Sequence, residues 1–301
     1  MGARSLARTA PTSAPMTQLP RTVAVVGAGT MGAGIAQVFA QAGIRVRLHD
    51  ASPAALEGAL TRIDASLARF VDKAAFSPAD RLAIRQRITT HASLDDCADV
   101  DAVVEAIAEH RDAKTALFSR LDELCRSATL LASNTSSIAI ATIGAATTRP
   151  DRVVGLHFMN PVPLMPLVEL IGGAATSSAT LDLARAICRA LGKTAIESAD
   201  TPGFIANRIL MPMINEAIEA LREGVGTAEA IDAVMTLGMK HPMGPLALAD
   251  LIGLDVCVAI LDVMHEGLGH AKYQPSPLLR DMVAAGRLGR KAGHGFYRYD
   301  R

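Results

Sequence analysis

The chain has 301 residues, half of them hydrophobic and a fifth charged, which places it among folded globular proteins rather than disordered chains. Thirty Lys plus Arg balance thirty Asp plus Glu, so a polyanion-binding surface over the whole molecule is excluded and nucleic acid is not an expected partner. With no Trp, three Tyr and seven Phe, the core must be mainly aliphatic, and aromatic platforms for stacking bases are not expected.

Cys97, Cys125, Cys188 and Cys257 lie far apart and form no CxxC pair, and the eight histidines are equally scattered. Neither a disulfide framework nor a metal site is expected, and a reducing compartment fits. The long uncharged run between Arg126 and Arg149 holds Ser133, Asn134, Thr135, Ser136 and Ser137 near its centre, which argues against a membrane span. Residues 1–20 carry Arg4 and Arg8 among Ser, Thr, Pro and Ala, with no acid before Asp50. That composition is similar to a mitochondrial transit peptide, but Pro11, Pro15 and Pro20 oppose a targeting helix, and the segment reads as a disordered extension. The expected compartment is the cytoplasm, with the mitochondrial matrix as the alternative.

From residue 22 a β-branched apolar run reaches Val26 and ends in Gly27-Ala28-Gly29-Thr30-Met31-Gly32; residues 33–42 then read as a helix closed by Gly43. Residues 44–48 read as a second strand ending at His49-Asp50. Gly27, Gly29 and Gly32 thus form G-x-G-x-x-G between strand and helix, with an acid 21 residues after Gly29. In this setting the motif reads as a dinucleotide site. Gly27 permits a tight turn, Gly29 lets backbone approach a pyrophosphate, and Gly32 lets the helix pack on the strand. The free N–H groups at the helix start then receive the phosphates. Asp50 would accept the adenosine ribose hydroxyls and repel the extra phosphate of NADP, so NAD is the expected cofactor.

Residues 54–87 read as an inserted helical pair, broken near Ser77-Pro78. Between Arg62 and Arg87 six basic residues face three acidic ones. On charge alone this is either a solvated helix face or a clamp for a phosphorylated carrier. Alternation resumes with a strand at 100–108, a helix at 111–126, and a strand at 129–132 running into Ser133-Asn134-Thr135-Ser136-Ser137. Ligands bind outside the carboxyl ends of parallel strands, which brings Glu109 and Ser136 to the expected nicotinamide end; the serine-rich loop also reads as the cap of a helix over 138–143.

Residues 153–158 form another strand. The stretch from Met159 to Pro166, with Pro161, Pro163 and Pro166, reads as a rigid connection to a strand at 167–171. His157 and Glu169 fall on adjoining strands. Each alone reads as a core residue, whereas together they suggest a base oriented by a carboxylate. After Thr201-Pro202-Gly203 the strands stop, and residues 204–222, 228–237, 246–266 and 278–285 read as helices. The expected organisation is an α/β Rossmann-type parallel sheet domain over 21–199, with the helical insert, followed by an all-α domain over 200–301 apolar enough to bury surface in a homodimer.

Seven ordered motifs carry a family resemblance: GAGTMGAGIAQVFAQAG (27–43), EAIAE (105–109), SNTSS (133–137), HFMNPVPLMPLVEL (157–170), DTPGFIANRI (200–209), HPMGPLALADLIGLD (241–255) and GRKAGHGFY (289–297). Over residues 21–301 the chain resembles the short-chain L-3-hydroxyacyl-CoA dehydrogenases, of the bacterial 3-hydroxybutyryl-CoA dehydrogenase type. The resemblance implies NAD-dependent, reversible oxidation of an acyl-CoA substrate, (S)-3-hydroxyacyl-CoA, with His157 as base and Glu169 as its partner. It also implies that Ser136 and Asn207 meet the reacting oxygen or position substrate. Glu109, Lys114, Ser136, Asn160 and Lys291 would line the nicotinamide half of NAD, beside the glycine loop with Thr30 and Met31, and Asp50. Ser66 and Lys73 match positions where the family's helical insert meets coenzyme A, which favours the clamp. A relative acting on a non-CoA 3-hydroxy acid, as in the gulonate dehydrogenase and lambda-crystallin branch, would share the glycine loop and the His-Glu pair. A non-enzymatic NAD-binding protein would need none of His157, Glu169, Ser136 and Asn207 as a set.

Overall fold

A computed structural model describes residues 18–299, so most of the extension expected over 1–20 lies outside the described residues. The chain begins with β1 (Thr22–Val26), α1 (Thr30–Gln41) and β2 (Arg45–His49). β1 is buried along its whole length, as a strand covered by helices on both faces must be. The helical pair follows as α2 (Pro53–Asp72) and α3 (Pro78–Gln86). Ser52 and Ser77 cap these helices, each with proline at the first helical position, and Ser77 with Asp80 completes a capping box. α2 turns Leu56, Ala59, Ile63 and Leu67 inward, a spacing of three and four residues that makes one apolar stripe.

A short edge strand, β3 (Ile88–His91), pairs with β2 and was not foreseen from the sequence. The alternation continues through β4 (Ala102–Glu105), α4 (Arg111–Leu124), β5 (Leu130–Ser133), α5 (Ile140–Gly144), β6 (Val153–Phe158) and β7 (Leu167–Gly172). Next come α6 (Ser178–Ala190) and β8 (Thr194–Ser198), which the sequence reading also passed over. The eight strands form one sheet in the order β3-β2-β1-β4-β5-β6-β7-β8. All pairs are parallel except β6 with β7. Only eight residues join those two strands, and a parallel crossover needs about a dozen or more.

Beyond β8 the described residues are helical: α7 (Ala206–Arg222), α8 (Ala228–Ala233), α9 (Pro245–Ile252), α10 (Leu254–Leu268) and α11 (Pro277–Ala284). The single helix expected over 246–266 is two helices, because Gly253 lies between them at φ 107°, outside the helical region. Two apolar clusters cover the faces of the sheet, and a third, built on Ile214, Leu246, Leu254, Leu261 and Leu279, belongs to the helices. Phe204 joins a sheet cluster rather than the helical one, which anchors the start of α7 on the sheet. Among the described residues no helix is long and apolar enough to cross a membrane.

Candidate active site

The carboxyl ends of β1, β4, β5 and β6 lie side by side, and the site is built on them. At the end of β1, Gly27 has φ 107° and an added Cβ would come 2.5 Å from the Ala106 carbonyl oxygen. A Cβ on Gly32 would sit 1.7 Å from the Gly27 carbonyl oxygen. Both glycines are demanded by the protein's own packing. Gly29 is different: its backbone is extended, and a Cβ there would meet nothing within 4 Å. Glycine at this position leaves room for something outside the protein. Gly29 is also the N-cap of α1 and supplies no side-chain cap, so the first-turn N–H groups are left for a ligand. The cradle therefore fits the pyrophosphate of a dinucleotide.

Asp50 ties this cradle to the end of β2. Its Oδ2 accepts the Ala28 N–H at 2.8 Å and its Oδ1 the Ser52 N–H at 2.9 Å. Each oxygen keeps accepting capacity for ribose hydroxyls. Arg62 of α2 donates to the Ala28 carbonyl at 2.7 Å, so part of the insert's positive charge is used to hold the glycine loop. Arg85 is likewise engaged, with Asp64 at 3.5 Å and the Ile88 carbonyl at 3.2 Å. Ser66 lies half-buried on α2 and Lys73 is exposed at its C-cap.

After β5 the chain enters Ser133–Ser137, folded around Glu109. One oxygen of Glu109 accepts the Thr135 hydroxyl at 2.6 Å, the Ser136 and Ser137 N–H groups at 2.9 and 3.0 Å, and the Ser137 hydroxyl at 2.9 Å. Burial by itself would raise this carboxyl, but the Lys114 ammonium and the Thr135, Ser137 and Ser136 donors outweigh it and hold Glu109 below the usual carboxylate range. Lys114 itself is 1% exposed, with its Nζ 2.5 Å from Glu105 and 3.3 Å from Glu109. Expected beside the nicotinamide, it lies buried between Glu105 and Glu109. Glu105, which the sequence reading quoted only inside a motif, is fully buried and also accepts the Ser133 hydroxyl at 2.5 Å. A carboxylate closing an apolar buried strand is the signal that could have singled it out.

On β6 and β7 the antiparallel register places His157 directly opposite Glu169. Their contact is His157 Nδ1 to Glu169 Oε2 at 2.7 Å, between groups that are 8% and 2% exposed. The other oxygen of Glu169 accepts the Ile205 and Ala206 N–H groups, both at 2.9 Å, at the start of α7. Burial would raise the Glu169 carboxyl, but hydrogen bonds from His157, Ala206 and Ile205 prevail and hold it low. Phe204 reaches φ 47° at this junction and sets its ring 5.8 Å from the imidazole. In the first turn of α7, Asn207 donates to the Ser136 carbonyl at 3.2 Å. Asn134 accepts the Phe158 N–H at 2.9 Å, which joins the serine-rich loop to the histidine strand.

His157, Glu169, Ser136 and Asn207 are thus brought together. Asn160 lies exposed in the turn after β6, three residues past His157. Lys291 stands on the helical side, paired with Asp255 at 2.6 Å. A cleft of about 500 Å³ runs between Glu109, Ser136 and Ser137 of the sheet and Asp255, Val256 and Ala259 of α10, so Lys291 adjoins the cleft through Asp255.

Residues 22–201 match the family model described as 3-hydroxyacyl-CoA dehydrogenase, NAD binding domain, and residues 203–299 match the model of the C-terminal domain of the same family. The chain belongs to the 3-hydroxyacyl-CoA dehydrogenase family. Within that family it is 52% identical over 280 residues to a probable 3-hydroxybutyryl-CoA dehydrogenase of Bacillus subtilis, covering 93% of this chain and 98% of the relative. It is 50% identical over 284 residues to a 3-hydroxybutyryl-CoA dehydrogenase of Bradyrhizobium diazoefficiens, covering 94% and 97%. The crystal structure of an (S)-3-hydroxybutyryl-CoA dehydrogenase from Ralstonia eutropha superposes with a TM-score of 0.89 at 46% identity, over 94% of this chain and all of that one. The cofactor is NAD, and the family activity is NAD-dependent oxidation of 3-hydroxyacyl-CoA.

Proposed function

We propose that this chain interconverts (S)-3-hydroxybutyryl-CoA and acetoacetyl-CoA, with His157 as general base and Glu169 as the carboxylate that orients it. The observation that carries this reading is the buried 2.7 Å contact between His157 Nδ1 and Glu169, at the carboxyl edge of the sheet that holds the glycine cradle. A carboxylate held low is ionised and can only accept, so Nδ1 carries the proton and Nε2 is left with its lone pair. A secondary alcohol cannot release hydride from C3 unless its O–H proton leaves in step, since a protonated ketone is too high in energy. Bound NAD supplies the hydride acceptor. His157 Nε2 takes the hydroxyl proton, Glu169 stabilises the imidazolium so formed, and the electron pair of the O–H bond closes the carbonyl as hydride departs. Positioned acid–base groups of this kind contribute about 10²- to 10⁴-fold.

Ser136 and Asn207 are assigned to the reacting oxygen; their mutual bond fixes both relative to α7. Glu109, Asn160 and Lys291 are assigned to the nicotinamide half, with Lys114 acting through Glu109. Ser66 and Lys73 are assigned to coenzyme A. The exposed apolar side chains Ile209, Val234, Leu237 and Met239 give the helical region a face suited to a homodimer. The bacterial relatives make the cytoplasm the proposed compartment. Comparing NADH-driven reduction of acetoacetyl-CoA with that of free acetoacetate tests the substrate assignment. Binding energy from the remote carrier should raise kcat/KM for the thioester by about 100-fold or more, and equal values would overturn it.

A further inference from the structure

The loop between β6 and β7 has an unusual shortage of donors. Pro161, Pro163 and Pro166 have no N–H, and the Leu164 and Met165 N–H groups both turn back to the Pro161 carbonyl at 3.0 Å. The loop's own N–H groups thus leave the carbonyls of buried Val162 and of Met165 to partners from elsewhere. One side chain serves both. Lys193, 8% exposed at the approach to β8, donates from Nζ to the Val162 carbonyl and to the Met165 carbonyl, each at 2.7 Å. Its neighbour Thr194 donates from the backbone to the Pro166 carbonyl at 2.7 Å, so the end of the loop is clasped as well. The ammonium is kept in a buried place where desolvation pulls its pKa down and no charged group pushes it back. A buried cation paired with carbonyls and not with a counter-charge is expensive, and a purely apolar filling would serve packing better.

What the loop does explains the arrangement. It carries Asn160, three residues beyond His157, and it packs on α1: a Cβ added to Gly34 would lie 2.8 Å from Val162 Cβ. The loop thus joins the helix that begins at the dinucleotide cradle to the strand that carries the base. We propose that Lys193 is a positioning residue that sets the Asn160 turn against the nicotinamide half of the cofactor, while the adenosine half depends on the glycine loop and Asp50 alone. This rests on the assignment of Asn160 to the nicotinamide half.

The test measures affinity rather than turnover. The Kd values of NADH and of ADP-ribose, which lacks the nicotinamide, are measured for the intact enzyme and for Lys193→Met by fluorescence and calorimetric titration. The expected result is a loss of about tenfold for NADH, with ADP-ribose held within about twofold. Unchanged affinity for both ligands overturns the proposal, and so does an equal loss for both, which marks a general loosening of the fold. Where Lys193→Met is not soluble, Lys193→Gln, with two amide N–H donors on a shorter stem, takes its place; a smaller loss confined to NADH supports the proposal, and no such split overturns it. Asn160→Ala separates the two readings. If Asn160→Ala leaves the NADH Kd unchanged, the assignment of Asn160 fails. If Asn160→Ala weakens NADH binding and Lys193→Met does not, only the role of Lys193 fails.

Discussion

Replacing Glu169 by glutamine keeps the shape of the side chain and removes its charge, and the surrounding donors decide how the amide settles. One oxygen faces His157 Nδ1, and the other faces the Ile205 and Ala206 N–H groups. If the amide NH₂ pointed toward α7, two part-buried N–H donors would face a donor, at about 1–3 kcal/mol each. If it points toward His157 it donates to Nδ1, every group is paired, and the imidazole proton moves to Nε2. The second arrangement wins by about 2–6 kcal/mol, and it places a proton on the nitrogen that must accept one. At about 1.36 kcal/mol per tenfold, turnover in the oxidation direction should fall between about 30-fold and about 3 × 10⁴-fold. The fold should lose only about 0.3–2 kcal/mol, the value of a negative charge at the start of α7. The assay is NADH formation from (S)-3-hydroxybutyryl-CoA, with NADH affinity by fluorescence as the control, expected to hold within about twofold because Glu169 is 2% exposed. Acid titration adds a signed check. The folded-state pKa of Glu169 is lowered, so its contribution to stability is complete above the unfolded value of about 4.3 and disappears as pH falls through the lower folded value. Glu169→Gln should lack that part of the acid loss. A variant with kcat within about threefold of the parent would refute the tautomer argument, since a misplaced proton has no smaller effect.

His157→Gln should lower turnover by about 10²- to 10⁴-fold and leave the NADH Kd in place; full activity with acetoacetyl-CoA and NADH would remove His157 from the chemistry. Gly29→Ala and Gly32→Ala should part company. A Cβ on Gly29 meets open space, so its melting temperature should hold while NADH binding weakens by about tenfold or more, whereas a Cβ 1.7 Å from the Gly27 carbonyl should prevent Gly32→Ala from yielding soluble protein. Normal NADH affinity in Gly29→Ala would contradict the cradle. If the proposed homodimer forms through the exposed apolar face of the helical region, the parent should sediment as a dimer and Leu237→Glu, at a side chain 83% exposed, as a monomer; a monomeric parent or a variant with an unchanged profile would refute that interface.

Much of the site was legible because its parts are local in sequence. Three glycines and an acid at fixed spacing define the cradle, and the helical insert shows as a long helical run broken at Ser77-Pro78. The residues that escaped notice gain their meaning from partners far along the chain. Glu105 looks like the end of an apolar run until Lys114 and Ser133 are seen against it. Lys193 looks like a surface lysine after a helix, and only the carbonyls of Val162 and Met165, about thirty residues away, give it work. The missed strands have the same origin. β3 is four residues at the sheet edge with two exposed threonines, and β8 has no fully buried residue, so neither has the apolar pattern that a central strand requires. Lys114 shows the converse: a motif position carried over from family members cannot reveal that the side chain lies buried between two carboxylates.

In the proposed dyad Glu169 would do more than orient a histidine, because the donors that hold its carboxyl low come from both the sheet and the helices after it. His157 belongs to the sheet, whereas the Ile205 and Ala206 N–H groups open the first long helix after it. Those two amides are orphan donors of a helix start, and a carboxylate is the partner they favour most. The same turn of α7 places Asn207 on the Ser136 carbonyl, and Phe204, held at a positive φ, packs beside the imidazole. The contacts that seat the start of α7 on the sheet are therefore among those that hold the Glu169 carboxyl low. Phe204→Gly, which keeps His157 itself, removes the ring that packs between the imidazole and the start of α7. It should lower kcat through the base while the glycine cradle, Asp50 and the NADH affinity they provide stay as they are.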